Sequence, residues 1–109
     1  MKIQEVPFNT IDWKSITPSE HKGLTGMAYW RTFEMGNLRV RMVDYTPGYQ
    51  ADHWCHKGHV LLVMQGELVT ELEDGRKFTL ASGMSYQVAD ETHPHRSSTQ
   101  TGARLFIVD

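Results

Sequence analysis

The chain is short of several features that would place it in a common class. One cysteine among 109 residues excludes an intramolecular disulfide, so the fold does not depend on an oxidising compartment. No apolar run approaches the length of a membrane span. The first residues, Met1 to Phe8, hold no continuous signal-peptide core, and the expectation is a cytoplasmic protein. Positive charge is not in excess: the formal net charge is −2, with no long basic run and no helix-turn-helix pattern. Nucleic acid and anionic membranes are therefore not expected as partners, since both select basic faces. Internal repeats, low-complexity segments and linkers are also missing. What is present suffices for one folded domain, with 39% hydrophobic, 10% aromatic and 22% charged residues.

Residues 1–26 are weakly patterned. Ile3 and Phe8 suit an edge strand at most, because Pro7 lacks a backbone donor. Thr17-Pro18-Ser19-Glu20 has the pattern of a helix start, with a threonine cap, proline at the first position and glutamate after it. Trp13 is expected to anchor this arm on the core.

From Met27 onward the hydrophobic period is two. Tyr29, Arg31 and Phe33 alternate with Ala28, Trp30 and Thr32, and Leu38, Val40 and Met42 follow a turn at Gly36-Asn37. The other face of that second strand carries Arg39 and Arg41, which read as a solvated face or, alternatively, as carboxylate-binding groups in a pocket. Leu68, Thr70 and Leu72 lead to Asp74-Gly75, a type I′ hairpin signal. Phe78 and Leu80 return, Ala81-Ser82-Gly83 turns again, and strands at Met84–Val88 and Leu105–Val108 close the chain. About eight strands at this spacing predict an all-β sandwich or barrel.

The chemistry concentrates in residues 47–66, which hold His53, Cys55, His56 and His59. In a strand, residues two and four apart share a face, so His53, Cys55 and His59 fall together and His56 falls opposite. Imidazole and thiolate are ligands for zinc and late transition ions. His93 and His95, about 35 residues on, are available as a distal ligand. Six histidines will show some clustering by chance, and Cys55 also suits a small buried hydrophobe.

The segment Pro47-Gly48, His53-Trp54-Cys55, His59 and Gly66 resembles the first motif of the cupin superfamily: Gly, five residues, His-x-His, three or four residues, Glu, six residues, Gly. Counting back from Gly66 places His59 at the glutamate position, Cys55 at the second histidine and His53 at the first, with Gly48 one residue too close. Gly83 through His95 resembles the second motif, with Ala89-Asp90-Glu91 in place of Pro-x-Gly and one additional residue before His95; Pro94-His95-Arg96 favours His95 over His93. Asp52-His53-Trp54-Cys55 is similar to the Asp-His-Cys-Trp-type motif of small single-domain bacterial cupins.

The resemblance implies a single cupin domain over 1–109, a double-stranded β-helix or jelly-roll barrel over 27–109 with an N-terminal arm over 1–26. It implies a divalent metal in the barrel interior, held by His53, Cys55, His59 and His95, with zinc, iron or nickel favoured over manganese because a thiolate replaces a carboxylate. Without Cys55, three histidines and an open position would be similar to the iron-dependent thiol dioxygenases of the superfamily. Tyr86, Gln87 and Arg96 are candidate substrate-binding groups. The implied function is a metal-dependent oxidation or isomerisation of a small molecule, with a non-catalytic ligand- or metal-sensing module as the alternative, in a homodimer.

Overall fold

The computed structural model describes residues 1–109. Eight strands form it: β1 (Ser19–Lys22), β2 (Met27–Met35), β3 (Leu38–Tyr45), β4 (His59–Leu72), β5 (Lys77–Ala81), β6 (Ser85–Val88), β7 (His95–Ser98) and β8 (Ala103–Val108). All pairings between them are antiparallel. One sheet runs β1-β2-β3-β8, then the first half of β4, then β6. The second places the far half of β4 between β5 and β7.

The strand β4 belongs to both sheets. Its pairing with β8 shifts register between Val63 and Gln65, and the bulge bends the strand from one sheet into the other. Gly66, at φ +80°, sits just past the bulge, where a Cβ would run into the carbonyl oxygen of Gly102. Isolated bridges Gln50–Ser98 and Thr25–Gln50 carry the hydrogen bonding from β7 to the chain between β1 and β2. The result is an all-β barrel, as the strand spacing predicts, in the jelly-roll form that the cupin resemblance implies.

The inner faces follow the strand period. Val43, Leu61, Val63, Leu105 and Ile107 alternate with half-exposed or exposed neighbours, and with Leu68 and Leu80 they form one core. Burying each such side chain fully stabilises the fold by about 1.5–3 kcal/mol.

Several expectations fail on inspection. The predicted helix start at Thr17–Glu20 is instead the entry to β1, and the only helical turn is a 3-10 turn at Trp13–Ser15, capped by the Asp12 side chain. Pairing with β2 and the stacking of His21 on Trp30, at 3.8 Å, outweigh a local capping pattern. Ile3 and Phe8 form no strand and are 52% and 96% exposed. Trp13 does anchor the arm, edge-on to Phe106 at 6.3 Å.

The turn at Asp74-Gly75 is not type I′. That type needs positive φ at both central residues, and only Gly75 has it, in a connection spanning residues 73–76. The solvated-face reading of β3 is reversed as well. Arg41 and Val43 are buried and face inward, because Asp109 supplies a buried carboxylate partner for both Arg39 and Arg41.

Candidate metal site

Residues 51–58 are not a strand, apart from the single bridge at Cys55, so their face parity does not strictly hold. Backbone bonds hold the segment instead. The Cys55 amide donates to the His95 carbonyl at 2.7 Å and the His95 amide returns to Cys55 at 3.0 Å. This reciprocal pair puts the two residues directly opposite each other. Gly58 lets the segment lie against Val88 and Asp90, where a Cβ would collide with backbone, and its amide donates to the Asp90 carboxylate at 2.6 Å. His59 then opens β4 on the inner face, with Leu61 and Val63 after it.

Three of the four expected ligands converge. One donor atom from each of Cys55, His59 and His95 lies within 4.8 Å of the other two. His53 does not join them: it lines the mouth of the same cavity, but its side chain is 78% exposed and its Nδ1 is 2.6 Å from Asp52. His56 stays outside, 3.7 Å from Glu91 at the surface. His93 is exposed as well, and it contributes its carbonyl rather than its ring.

The outer nitrogens of His59 and His95 both face acceptors. His95 Nδ1 donates to the His93 carbonyl at 2.8 Å. His59 Nδ1 faces Asp109 Oδ2 at 3.5 Å, a long contact that leaves this buried nitrogen short of a full hydrogen bond. Both partners can only accept, so each Nδ1 carries the hydrogen and each neutral ring presents a lone pair at Nε2. Those Nε2 atoms are 3.1 Å apart. Two lone pairs at that separation repel, and a positive charge between them, a proton or a metal cation, relieves the repulsion. Tetrahedral zinc–nitrogen bonds would place two ligand nitrogens roughly 3.3 Å apart. A carboxylate or carbonyl behind each ligating imidazole is the usual support of a metal site.

The surrounding charges favour the same occupant. The His95 imidazole lowers the Cys55 thiol below its ordinary value, against the opposing effect of burial, which favours the thiolate form. Burial pulls His95 down, but the Cys55 thiol and the His93 carbonyl together outweigh it and the net shift is upward. Burial raises Tyr86, so it stays a neutral phenol, and its hydroxyl lies 2.9 Å from His59 Nε2. Burial would also raise Asp109, but the His59 and Arg39 contacts and the charges of Arg41 and Arg39 hold it well below the usual carboxylate range.

The cluster lies in a cavity of about 280 Å³, lined among others by Trp30, Arg41, Tyr45, Tyr49 and Tyr86, at the small end of ligand-sized pockets. Of the three expected substrate-binding residues, Tyr86 and Arg96 line it. The Arg96 guanidinium lies 4.3 Å over Trp54 and donates to Glu71 at 2.7 Å. Gln87 does not line it; it is exposed and borders a neighbouring, largely apolar pocket of about 200 Å³ that shares the walls Tyr86 and His95. Sequence reasoning left out Asp109 and placed Arg41 only as an alternative. Arg41 is 6% exposed and its Nε has no partner. An unpaired buried donor costs about 1–3 kcal/mol.

No protein-family model matches the sequence, and no curated protein matches it. Structures do. Ectoine synthase from P. lautus superimposes with a TM-score of 0.76 at 14% identity, covering 93% of this chain and 76% of that one. A predicted oxalate decarboxylase from Thermotoga maritima gives 0.75 at 13% identity, covering 92% and 96%. An RmlC-like cupin from Shewanella frigidimarina NCIMB 400 gives 0.73 at 18% identity, covering 97% and 92%. The chain has the cupin fold. At these identities the likeness extends to architecture and no further.

Proposed function

We propose that this cupin barrel holds one divalent late transition ion through Cys55, His59 and His95, and acts on a small molecule in the adjoining cavity. The observation that carries the reading is the pair of His59 and His95 Nε2 atoms, 3.1 Å apart, with both outer nitrogens facing acceptors. Two imidazoles and one thiolate favour zinc, iron or nickel over manganese. Three protein ligands leave a coordination position for water or substrate, and the ion would supply Lewis-acid or redox chemistry there.

The chain's own residues would do the rest. Asp109 and the His93 carbonyl orient the two imidazoles. Tyr86, a neutral phenol, lies 2.9 Å from His59 Nε2; with an ion on that nitrogen in place of this hydrogen bond, the hydroxyl is free to meet a bound molecule. The tyrosines and Trp30 wall the cavity from water. Oxidation or isomerisation is the reaction class this arrangement suits, in a homodimer.

Elemental analysis of untagged protein tests the metal. Wild type should carry, or take up, one equivalent of zinc, iron or nickel. His59→Ala and His95→Ala should lose it, and Cys55→Ser should weaken binding by tenfold or more, about 1.4 kcal/mol. His53→Ala should retain the metal, because that ring lies outside the cluster. Wild type that takes up none of the three ions would end the proposal.

A further inference from the structure

One buried group in the cavity has no part in holding a metal. The Arg41 guanidinium makes a single hydrogen bond, from Nη2 to Asp109 Oδ2 at 3.0 Å, and its Nε is buried without a partner. Its position is fixed all the same. It lies 4.5 Å over the Trp30 ring, and Trp30 stacks in turn on His21 at 3.8 Å. An arginine carries five donors in a planar fork, so most of this fork is unspent.

The charge balance points the same way. Arg39 already takes both oxygens of Asp109, Oδ1 at 2.7 Å and Oδ2 at 3.0 Å. Two guanidinium groups therefore share one carboxylate, which leaves one positive charge in excess. Of the other charged groups nearby, Glu34 attracts Arg39 from the exposed side of the β2–β3 pair. Arg96 is paired with Glu71 and His53 with Asp52, and a thiolate at Cys55 is matched by the charge it binds, so the excess remains on buried Arg41. Apart from Ser97 and the two inner histidines, the rest of the wall is apolar or aromatic, with Leu61, Ile107 and the Tyr45–Tyr49 stack, whose rings are 4.1 Å apart.

We propose that the cavity is a receptor for a small monocarboxylate, its carboxylate forked on Arg41 and its apolar remainder against Leu61, Ile107 and the tyrosine pair. A guanidinium fork matches the two oxygens of a carboxylate in one plane. One excess charge suits a monoanion, whereas a phosphate dianion would bring two charges against one. The inference rests on the metal-site reading, which it deepens by naming the substrate class; the anion contact itself is made by Arg41 and does not require the ion.

Benzoate and its neutral isostere benzamide test it. Each is titrated calorimetrically into zinc-loaded protein and into protein held in EDTA. Benzoate should bind in both, and benzamide at least about tenfold more weakly. Arg41→Lys keeps a positive charge beside Asp109 but removes the planar fork; it should weaken benzoate by about tenfold or more with zinc content and thermal midpoint unchanged. A readout on wild type guards against a variant that fails to fold: benzoate, and not benzamide, should shift the Arg41 Nε–H resonance.

Equal affinity for the two probes would overturn the proposal, as would wild-type affinity in Arg41→Lys, or no benzoate binding at millimolar concentration. Benzoate binding that needs zinc and ignores Arg41 would make the ion the anion receptor, and would overturn it too. If the protein takes up no metal, the metal reading fails alone, and the titration in EDTA still decides the carboxylate question.

Discussion

Asp109 organises more of the site than any other residue, although it is not among the clustered donors. Its carboxylate is fully buried, accepts from Arg39 and Arg41, and faces His59. Nothing local in the sequence marks this role, because its partners lie 68 and 70 residues away. The arginines were legible as a pair on one face of β3, but the side that faces in depends on whether an anion waits there. Asp109→Asn keeps the shape and removes the charge, leaving buried Arg41 unpaired, at a cost of about 3–5 kcal/mol. The sign with pH follows from the lowered pKa. The charge contributes its full stabilisation above the unfolded value near 4 and loses it as pH falls toward the folded one. Urea midpoints of wild type and Asp109→Asn, both in EDTA, should differ by a constant amount from pH 5 to 7 and converge below about pH 4. A gap unchanged at pH 3 would mean that the carboxylate charge is not what Arg39 and Arg41 require.

At the scale of elements, the segment between β3 and β4 brings together only part of what strand parity grouped, and by another route. Strand parity grouped His53, Cys55 and His59, and the segment is not a strand. Cys55 and His59 converge because backbone bonds to His95, and Gly58 against Asp90, set the path. His53 lies before that tie and turns to the surface, toward Asp52. The period-two strands and turn glycines were legible because each is a local signal. The bulge that bends β4 was not, since it exists only in the pairing with β8. Gly58 makes the role of the path testable without touching a ligand. Gly58→Ala pushes a methyl into the backbone of Val88 and Asp90, so the segment must shift. The expected result is a loss of about 1–3 kcal/mol in stability with zinc affinity reduced at least about tenfold. Gly83→Ala, at a glycine of positive φ whose Cβ would face open space, should leave zinc affinity unchanged. Equal zinc affinity in both variants would show that the cluster does not depend on this packing.

For the whole molecule, the outer face of the larger sheet leaves apolar side chains open to solvent. Val60, Leu62 and Met64 alternate with the core residues of β4 and are 43%, 37% and 41% exposed. Cross-strand partners extend the stripe: Val60 beside Val108, then Val40 and Phe33; Leu62 beside Phe106, then Met42. The arm covers only part of it, through Trp13 against Phe106. The arm's own Phe8 is 96% exposed, although residues 2 and 4 are tied to Asn37 at the β2–β3 turn. One chain therefore leaves apolar surface open both on its arm and on its sheet, and a second copy offers each the other. A two-fold pairing through one self-complementary patch satisfies both at once, and contiguous apolar patches of this kind mark association surfaces. Light scattering at about 10 µM should give twice the 12.5 kDa chain mass. Leu62→Lys, which places a charge in the middle of the stripe, should give the single-chain mass with zinc content intact, because Leu62 faces away from the cavity. Phe8→Ser should weaken the pairing in the same direction if the arm takes part. A wild-type protein that scatters as one chain would leave the stripe without this role.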